Sequence, residues 1–453
     1  VRLSAHLLSL LLATVTPTQV LQAQPPTAEQ ALDWLQTYLT FDSSTIEGAG
    51  KSASYLRGLL HQAGVPTKWI VSSEQQPFLY ARTGATEPDA PTLVLLHHVD
   101  VVPVGPGWSQ PPFGAQVDAG ALFGRGAVDD KSLGIAHLIA FLRFRELASP
   151  TFSLVFLAVG GEETGGMQGT GWLVENHPEL FDNVHAVLTE GGTNRLYGDR
   201  LAWWAIEVAQ KRPLWIQATA HGRPGHGSGL NLHSAPHRLI RALNKLVDRP
   251  LEFRLTPEAK LFLESVAPLE SPAFQDVVAN LETILERRDA PKGLLPGMPN
   301  YLLDTIQVNT LDAGEKVNVT PGVARAQIDI RLLPDTDSAE LLAELQELMG
   351  PEIELEVLLT SPAVGSSPVD HPVFRCLEEA LGSSAPVVPA FINAVTDARF
   401  LRQRGIPVYG FLPFELDSDA LRGIHSRDEH IDLDVFAKGV DVMWNVVREC
   451  AGS

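Results

Sequence analysis

The sequence predicts an α/β protein: a central, mostly parallel sheet flanked by helices, carried by two separated stretches of chain, with a smaller ferredoxin-like α+β unit inserted between them. Three observations predict it. Short apolar runs at 92–96, 153–158 and 185–189 have the length of strands buried on both faces, and the stretch 132–147 between the first two has helical length. Polar and acidic residues follow each run at once, at 97–100, 160–163 and Glu190, where open α/β sheets place their ligands. Between 212 and 361 the order of elements becomes β-α-β-β-α-β, and the α/β pattern resumes after about residue 362. A chain of 453 residues allows two or three domains at ~150 residues each.

In chain order, Arg2 precedes the apolar run 7–13, and Ala23 offers a small-residue cleavage point. This reads as an export signal over 1–23, with a frayed N-terminal helix as the alternative. The run is shorter than the ~20 apolar residues a membrane span needs, and no later segment reads as one. Thr27-Ala28-Glu29-Gln30 has capping-box form and opens a helix over 31–39, and a second helix is expected over 52–63. The strand runs and the helix at 132–147 follow, so the first domain comprises 24–211 and 362–453. In the unit at 212–361, strands are expected at 214–220, 304–311, 323–332 and 353–359, and helices at 235–247 and 338–349. An irregular helical excursion near 256–295 starts at Thr256-Pro257.

Composition narrows the function. Hydrophobic residues at 45% and charged residues at 19% exclude a disordered or fibrous chain. A formal charge of −20 opposes attraction to phosphate backbones, so nucleic acid is not an expected partner. Cys376 and Cys450 are too few for a cysteine metal site, so any metal falls to His, Asp and Glu. In an exported chain the two cysteines could pair, although their spacing does not show it.

The residues that carry chemistry sit at strand ends and glycine-rich turns. Residues two apart on an extended strand end face one side, so Asp100 is placed to accept a hydrogen bond from the His98 nitrogen that does not face a metal, while His97 points the other way. A hydrogen-bonded histidine at a strand end is the plain alternative. In Gly124-Arg125-Gly126-Ala127-Val128-Asp129-Asp130-Lys131, the carboxylates suit either a helix start or a metal bridge. Glu162 and Glu163 lie among four glycines at 160–166, a backbone freedom that surface glutamates do not need. Glu190 precedes Gly191-Gly192, and His425 lies in Gly423-Ile424-His425-Ser426. A serine nucleophile elbow around Ser228 fails, because positions 226 and 230 are His226 and Leu230.

Taken in order, H-x-D, GRGxxDDK, GGEETGG, TEGG, GHGS, NVTPxxAxAxxDxRxxP and GIHSxDE resemble the co-catalytic zinc metallopeptidases of family 20. That family includes carboxypeptidase S, glutamate carboxypeptidase, aminoacylase, acetylornithine deacetylase and succinyl-diaminopimelate desuccinylase. The helical excursion looks most like the carboxypeptidase S and N-acyl-amino-acid hydrolase branch. The resemblance implies two Zn2+ ions, with Co2+ or Mn2+ as alternatives: one on His98 and Glu190, the other on Glu163 and His425, with Asp129 bridging them. Asp129 is chosen over Asp130 because relatives with a single aspartate carry it at the first position. Glu162 is the implied general base and Asp100 the residue orienting His98.

The inserted unit is the implied lid and dimerisation domain. His226 matches the family histidine that enters a partner subunit's site, Arg331 the arginine that holds a substrate carboxylate, and Asn309 a further polar contact. Residues 395–399 resemble a loop lining the cleft. The implied activity is hydrolysis of an amide bond next to a free carboxylate, in a small peptide, with an N-acyl-amino-acid deacylase as the alternative within enzymes. A noncatalytic binding protein on the same fold would have lost Glu162 or a metal ligand, and none is lost. Gly161, Thr189 and Ser132 depart from the common pattern without removing a ligand.

Overall fold

The computed structural model describes residues 26–87, 89–287 and 289–452. The expected export signal, with Arg2 and Ala23, lies outside the described residues. Among them, no helix is long and apolar enough to cross a membrane.

The apolar runs build the middle of a large mixed sheet. Its order is Thr67–Val71, Pro77–Gly84, Ser153–Val159, Thr92–His98, Val184–Thr189, Val408–Gly410, Arg200–Gln210 and Val387–Ile392, with Arg195–Tyr197 paired to Arg200–Gln210. The central strands 153–159, 92–98, 184–189 and 408–410 run parallel, whereas the first two strands pair antiparallel. Alternation explains the continuous apolar runs. Leu93, Leu95, Leu154 and Phe156 face a core shared with helices Ala28–Leu39, Lys131–Phe144 and Leu433–Ala451; Val94, Leu96, Val155 and Leu157 face a second core with Leu173, Phe400 and Leu401.

Lys131–Phe144 is buried along its length except Arg143, as befits a helix enclosed by other elements. Thr27 caps the first helix by accepting from Gln30 N–H. The second helix runs Ile46–Gln62, six residues earlier than expected, because Thr45 caps it at Gly48 N–H and Lys51 pairs with Glu47 at 2.7 Å. The glycines at 48 and 50 argue against a helix locally, but a Cβ at Gly48 would overlap the Asp42 carbonyl, so close packing needs that glycine.

The inserted unit has the expected order. Strands Thr305–Asp312, Val323–Leu332, Arg212–His221 and Ile353–Thr360 form an antiparallel sheet in that sequence, backed by helices Ala235–Val247 and Ser338–Met349 around their own core. The excursion is helical at Pro257–Val266, Pro272–Ala279 and Leu281–Leu285, with Thr256 capping at Ala259 N–H. It packs elsewhere, however: Ala259, Phe262, Leu263, Val266, Leu281 and Leu302 join the core of the large sheet, and Phe262 touches Trp203.

Two further links position the site. A three-stranded sheet of Gln116–Asp118, Ala121–Phe123 and His430–Asp432 holds the loops at 124–130 and 423–429 side by side. Cys376 and Cys450 form a disulfide between helices Pro372–Gly382 and Leu433–Ala451.

Candidate active site

The strand ends and glycine turns converge. His98 ends the strand Thr92–His98 and is buried. Its Nε2 lies 2.9 Å from Asp129 Oδ1 and 3.9 Å from Glu190 Oε1. His425 Nε2 lies 3.0 Å from Asp129 Oδ2 and 3.2 Å from Glu163 Oε2. Asp129 thus presents one oxygen to each imidazole, with Glu190 on the first side and Glu163 on the second. Asp130 turns away, its Oδ2 accepting from His98 N–H at 3.4 Å.

The expected bond between the His98 ring and the Asp100 carboxylate is replaced. His98 Nδ1 lies 2.8 Å from the Asp100 carbonyl oxygen and 3.8 Å from the carboxylate. A carbonyl only accepts, so Nδ1 carries the proton and Nε2 faces the cluster. The expectation fails because the strand stops at His98, so the two-residue alternation no longer governs Asp100. Three donors also compete for the carboxylate: it accepts from Gly161, Glu162 and Glu163 N–H at 2.9, 3.3 and 3.0 Å. Gly161, at φ +89°, lets the chain turn its amides inward, so Asp100 pins the turn that bears both glutamates.

Glu429, a residue the motifs include without assigning it a task, organises the other turn. Fully buried, it accepts from Arg125 Nη1 at 2.5 Å and from the amides of Gly126, Val128 and Asp129 at 3.1, 2.8 and 3.1 Å. Arg125 also donates to the Ser426 carbonyl, next to His425. Nothing local in the sequence announces a pair separated by 304 positions. Lys131, by contrast, points away from the cluster and donates to the carbonyls of Tyr38 and Phe41.

Electrostatics follow from crowding. Burial alone would depress the His98 imidazole, but its hydrogen bond to Asp129 and the charge of Glu190 hold it well above its ordinary value. Hydrogen bonds to Asp129 and Glu163 raise His425 to about 10. Burial would raise Asp129, yet the two imidazoles keep it well below the carboxylate range. Burial pushes Glu162 and Glu190 well up, and Asp397 adds to the effect on Glu162. Asp397, raised to about 6 by burial and hydrogen-bonded to Thr170, belongs to the loop at 395–399. Within that loop, buried Arg399 donates to the carbonyls of Thr396 and Gly165.

The donor set fits divalent cations. His98, Asp129 and Glu163 have ligand atoms within 4.8 Å of one another, and so do His98, Glu162 and Glu190. Glu163 Oε1 is buried with no hydrogen-bond partner, and the carboxylates outnumber the two imidazoles. Excess buried carboxylate beside imidazole is the oxygen and nitrogen environment that zinc, cobalt or manganese accepts.

A cleft of about 440 Å3 opens on the cluster, lined by Glu162, Glu190, Ile392, Val395, Leu412 and Arg331 among others. Arg331 comes from the inserted unit, on the face opposite Ile328 and Ile330, and pairs with Asp329 at 2.9 Å. Two expected contact residues lie elsewhere. His226 is exposed in a short strand beside Val319–Thr320, bonded to Ser228 Oγ at 2.8 Å. Asn309 is exposed at a bulge where the register skips from Val308 to Thr310. Neither lines the cleft of this chain.

The model of Peptidase family M20/M25/M40 matches residues 94–449. Among curated proteins, the chain is 28% identical over 385 residues to Aminoacylase-1 of Sus scrofa, covering 81% of both chains. It is 26% identical over 400 residues to Succinyl-diaminopimelate desuccinylase of Gluconobacter oxydans, covering 85% of this chain and 88% of the relative. Among solved structures, an M20 family metallo-carboxypeptidase from Sulfolobus solfataricus superposes with TM-score 0.71 at 20% identity, over 93% of this chain and 99% of the other. Human carnosine dipeptidase 1 gives 0.72 at 17%, over 93% and 96%. A dinuclear metal binding peptidase of the M20 family from Bacillus subtilis gives 0.52 at 13%, over 93% and 98%.

Proposed function

The chain belongs to Peptidase family M20/M25/M40 and is an amidohydrolase or peptidase, and on that premise we propose that it hydrolyses an amide bond adjacent to a free carboxylate in a small peptide or N-acyl amino acid, using two zinc ions. The observation that carries this reading is the Asp129 carboxylate divided between His98 and His425, with Arg331 facing the same cleft. The Aminoacylase-1 match supports N-acyl amino acids as a second substrate class.

His98, Glu190, Asp129, Glu163 and His425 would hold the two ions. When bound, such a pair lowers the pKa of a water molecule and polarises the scissile carbonyl. Glu162 takes the proton of the attacking water and delivers it to the leaving nitrogen. Its carboxyl group lies beside the residues that would hold the ions and lines the cleft, within reach of both the water and the leaving nitrogen. Arg331 orients the substrate through its carboxylate. Asp100 keeps Glu162 in place through the backbone of the turn.

Glu162→Gln tests the assignment: turnover should fall at least about 100-fold while the metal content of the folded protein is kept. Full activity in that variant would overturn the role. Cobalt or manganese should restore activity after chelation if zinc is not uniquely required. We also propose a homodimer through the inserted unit, in which His226 serves the partner's cleft. Export is the proposed localisation, and the Cys376–Cys450 disulfide supports an oxidising compartment.

A further inference from the structure

The turn at 160–166 carries both glutamates on a backbone that is loose by nature. Gly161, Gly165 and Gly166 stand at φ +89°, +94° and +66°, conformations that glycine enters and leaves at little cost. Asp100 grips one side of this turn by its amides. Arg399 grips the other, its Nη2 donating to the Gly165 carbonyl at 2.5 Å. The two grips are joined through the peptide groups of the turn. Glu162 N–H donates to Asp100 Oδ1 at 3.3 Å, and the carbonyl of the same peptide group, that of Gly161, accepts from Gly166 N–H at 2.8 Å. The carbonyl on the far side of that second peptide group is the one Arg399 holds. A carboxylate at one end and a guanidinium at the other polarise the series in one direction, which strengthens each bond in it.

Arg399 is itself fixed. It is 1% exposed, its guanidinium carbon lies 4.3 Å from the centre of the Phe400 ring, and its Nη1 donates to the Thr396 carbonyl at 2.5 Å. Gln210, at the end of strand Arg200–Gln210, secures Thr396 in turn: Oε1 accepts from its N–H at 3.1 Å and its hydroxyl at 2.8 Å, and Nε2 donates to its carbonyl at 3.1 Å. The approach is close, since a Cβ on Gly166 would lie 2.3 Å from Asp397 Oδ1 and 3.2 Å from Arg399 Nη2. Arg399 borders a chamber of about 260 Å3 together with Glu162, Glu163 and Arg331, yet both of its terminal nitrogens are committed to backbone carbonyls.

Resting on the amide-hydrolase reading above, we propose that Arg399 is a positioning residue for the general base. By bridging Gly165 to the Thr396 that Gln210 secures, it fixes the turn so that the Glu162 carboxyl stays at proton-transfer distance from the attacking water. Its charge acts on the backbone, not on the substrate. Proton transfer works over hydrogen-bond distances, and a displacement of about 1 Å costs up to about 100-fold in rate.

The test uses Arg399→Met, which keeps the length of the side chain and removes both bonds, and Arg399→Lys, which keeps the charge. Each is loaded with zinc and checked by thermal melting and metal content. On N-acetyl-methionine or a dipeptide, whichever the wild type cleaves, Arg399→Met should lose about 30- to 100-fold in kcat with KM changed less than about threefold and both ions retained. Arg399→Lys should recover at least about fivefold of that loss. Added to Glu162→Gln, Arg399→Met should lower the residual turnover less than about twofold, because it acts through Glu162. In the metal-free protein, hydrogen exchange over 161–166 should quicken in Arg399→Met while the strand Thr92–His98 is unaffected. Wild-type kcat in folded Arg399→Met, an effect confined to KM, a full further loss on top of Glu162→Gln, or unaltered exchange over 161–166 would each overturn the proposal. If Arg399→Met does not fold, Gln210→Leu takes its place: kcat should fall about tenfold, and a wild-type kcat there counts against the proposal equally. A metal-loaded wild type that cleaves neither N-acetyl amino acids nor dipeptides would instead overturn the underlying functional reading.

Discussion

Asp129 and the residues around it share so small a volume that each side chain sets the protonation of the others. The sign of the resulting pH dependence can be worked out. His425 has a folded value of about 10 against an unfolded value near 6.5, so its proton contributes stability fully below about pH 6.5 and progressively less as pH rises through 10. The raised Glu162 and Glu190 carboxyls act in the same direction, since their ionisation above the usual range costs the fold. At pH 7 the metal-free protein therefore holds protons that a cation must displace. Calorimetric titration with zinc in two buffers of different ionisation enthalpy should show proton release, and affinity should increase from pH 6 to pH 8. Binding that neither releases protons nor strengthens with pH would contradict this account. At this scale the sequence revealed which residue types meet, because their order is carried by short motifs. It did not reveal that Asp100 serves backbone amides, or that the 129–130 peptide is cis, since neither depends on residue type alone.

The helix Lys131–Phe144 shows how an element transmits packing to the site. Its existence was legible from apolar length between two strands, but its closeness to the sheet was not. A Cβ built on Gly134 would lie 2.4 Å from the His97 ring, which is itself buried against His137 and Phe156. His97 points away from the cluster, as strand alternation predicts, and burial holds it well below its ordinary value, in the neutral form. Gly134→Ala should therefore force His97 or the helix to move, at a cost of about 1–3 kcal/mol for overpacking. Because His97 adjoins His98 in the chain, zinc affinity should fall as well. Denaturant unfolding with a parallel metal titration measures both effects, and a variant with unchanged stability would show that the helix can shift freely. The second helix teaches the complementary lesson. Glycine in its first turn is a poor helix former, and only the contact with Asp42 explains why glycine is needed there.

At the scale of the whole molecule, the order of elements along the inserted unit was legible because local alternation and helix length specify it. The destination of the helical excursion was not, because a segment's sequence does not say which of two apolar cores it covers. The excursion leaves the inserted unit after helix Ala235–Val247 and returns before strand Thr305–Asp312, having packed on the edge of the large sheet. Phe262, Leu263, Val266, Leu281 and Leu302 are all buried there. At about 1.5–3 kcal/mol for each fully buried side chain, their burial contributes on the order of 10 kcal/mol as an upper estimate. That is comparable to the entire stability of a typical domain. Replacing 212–361 by a short linker should therefore not release an independent catalytic domain. It should strip cover from Trp203 and from Phe391, which meets Tyr301, and give a protein that aggregates or binds a hydrophobic dye. A linker variant that retains 254–304 and removes only the four-stranded sheet with its two helices should stay soluble and bind zinc, yet lack turnover because Arg331 is gone. Light scattering, zinc content and cooperative melting distinguish the two variants. A soluble, sharply melting product from the larger deletion would show that the excursion belongs energetically to the inserted unit after all.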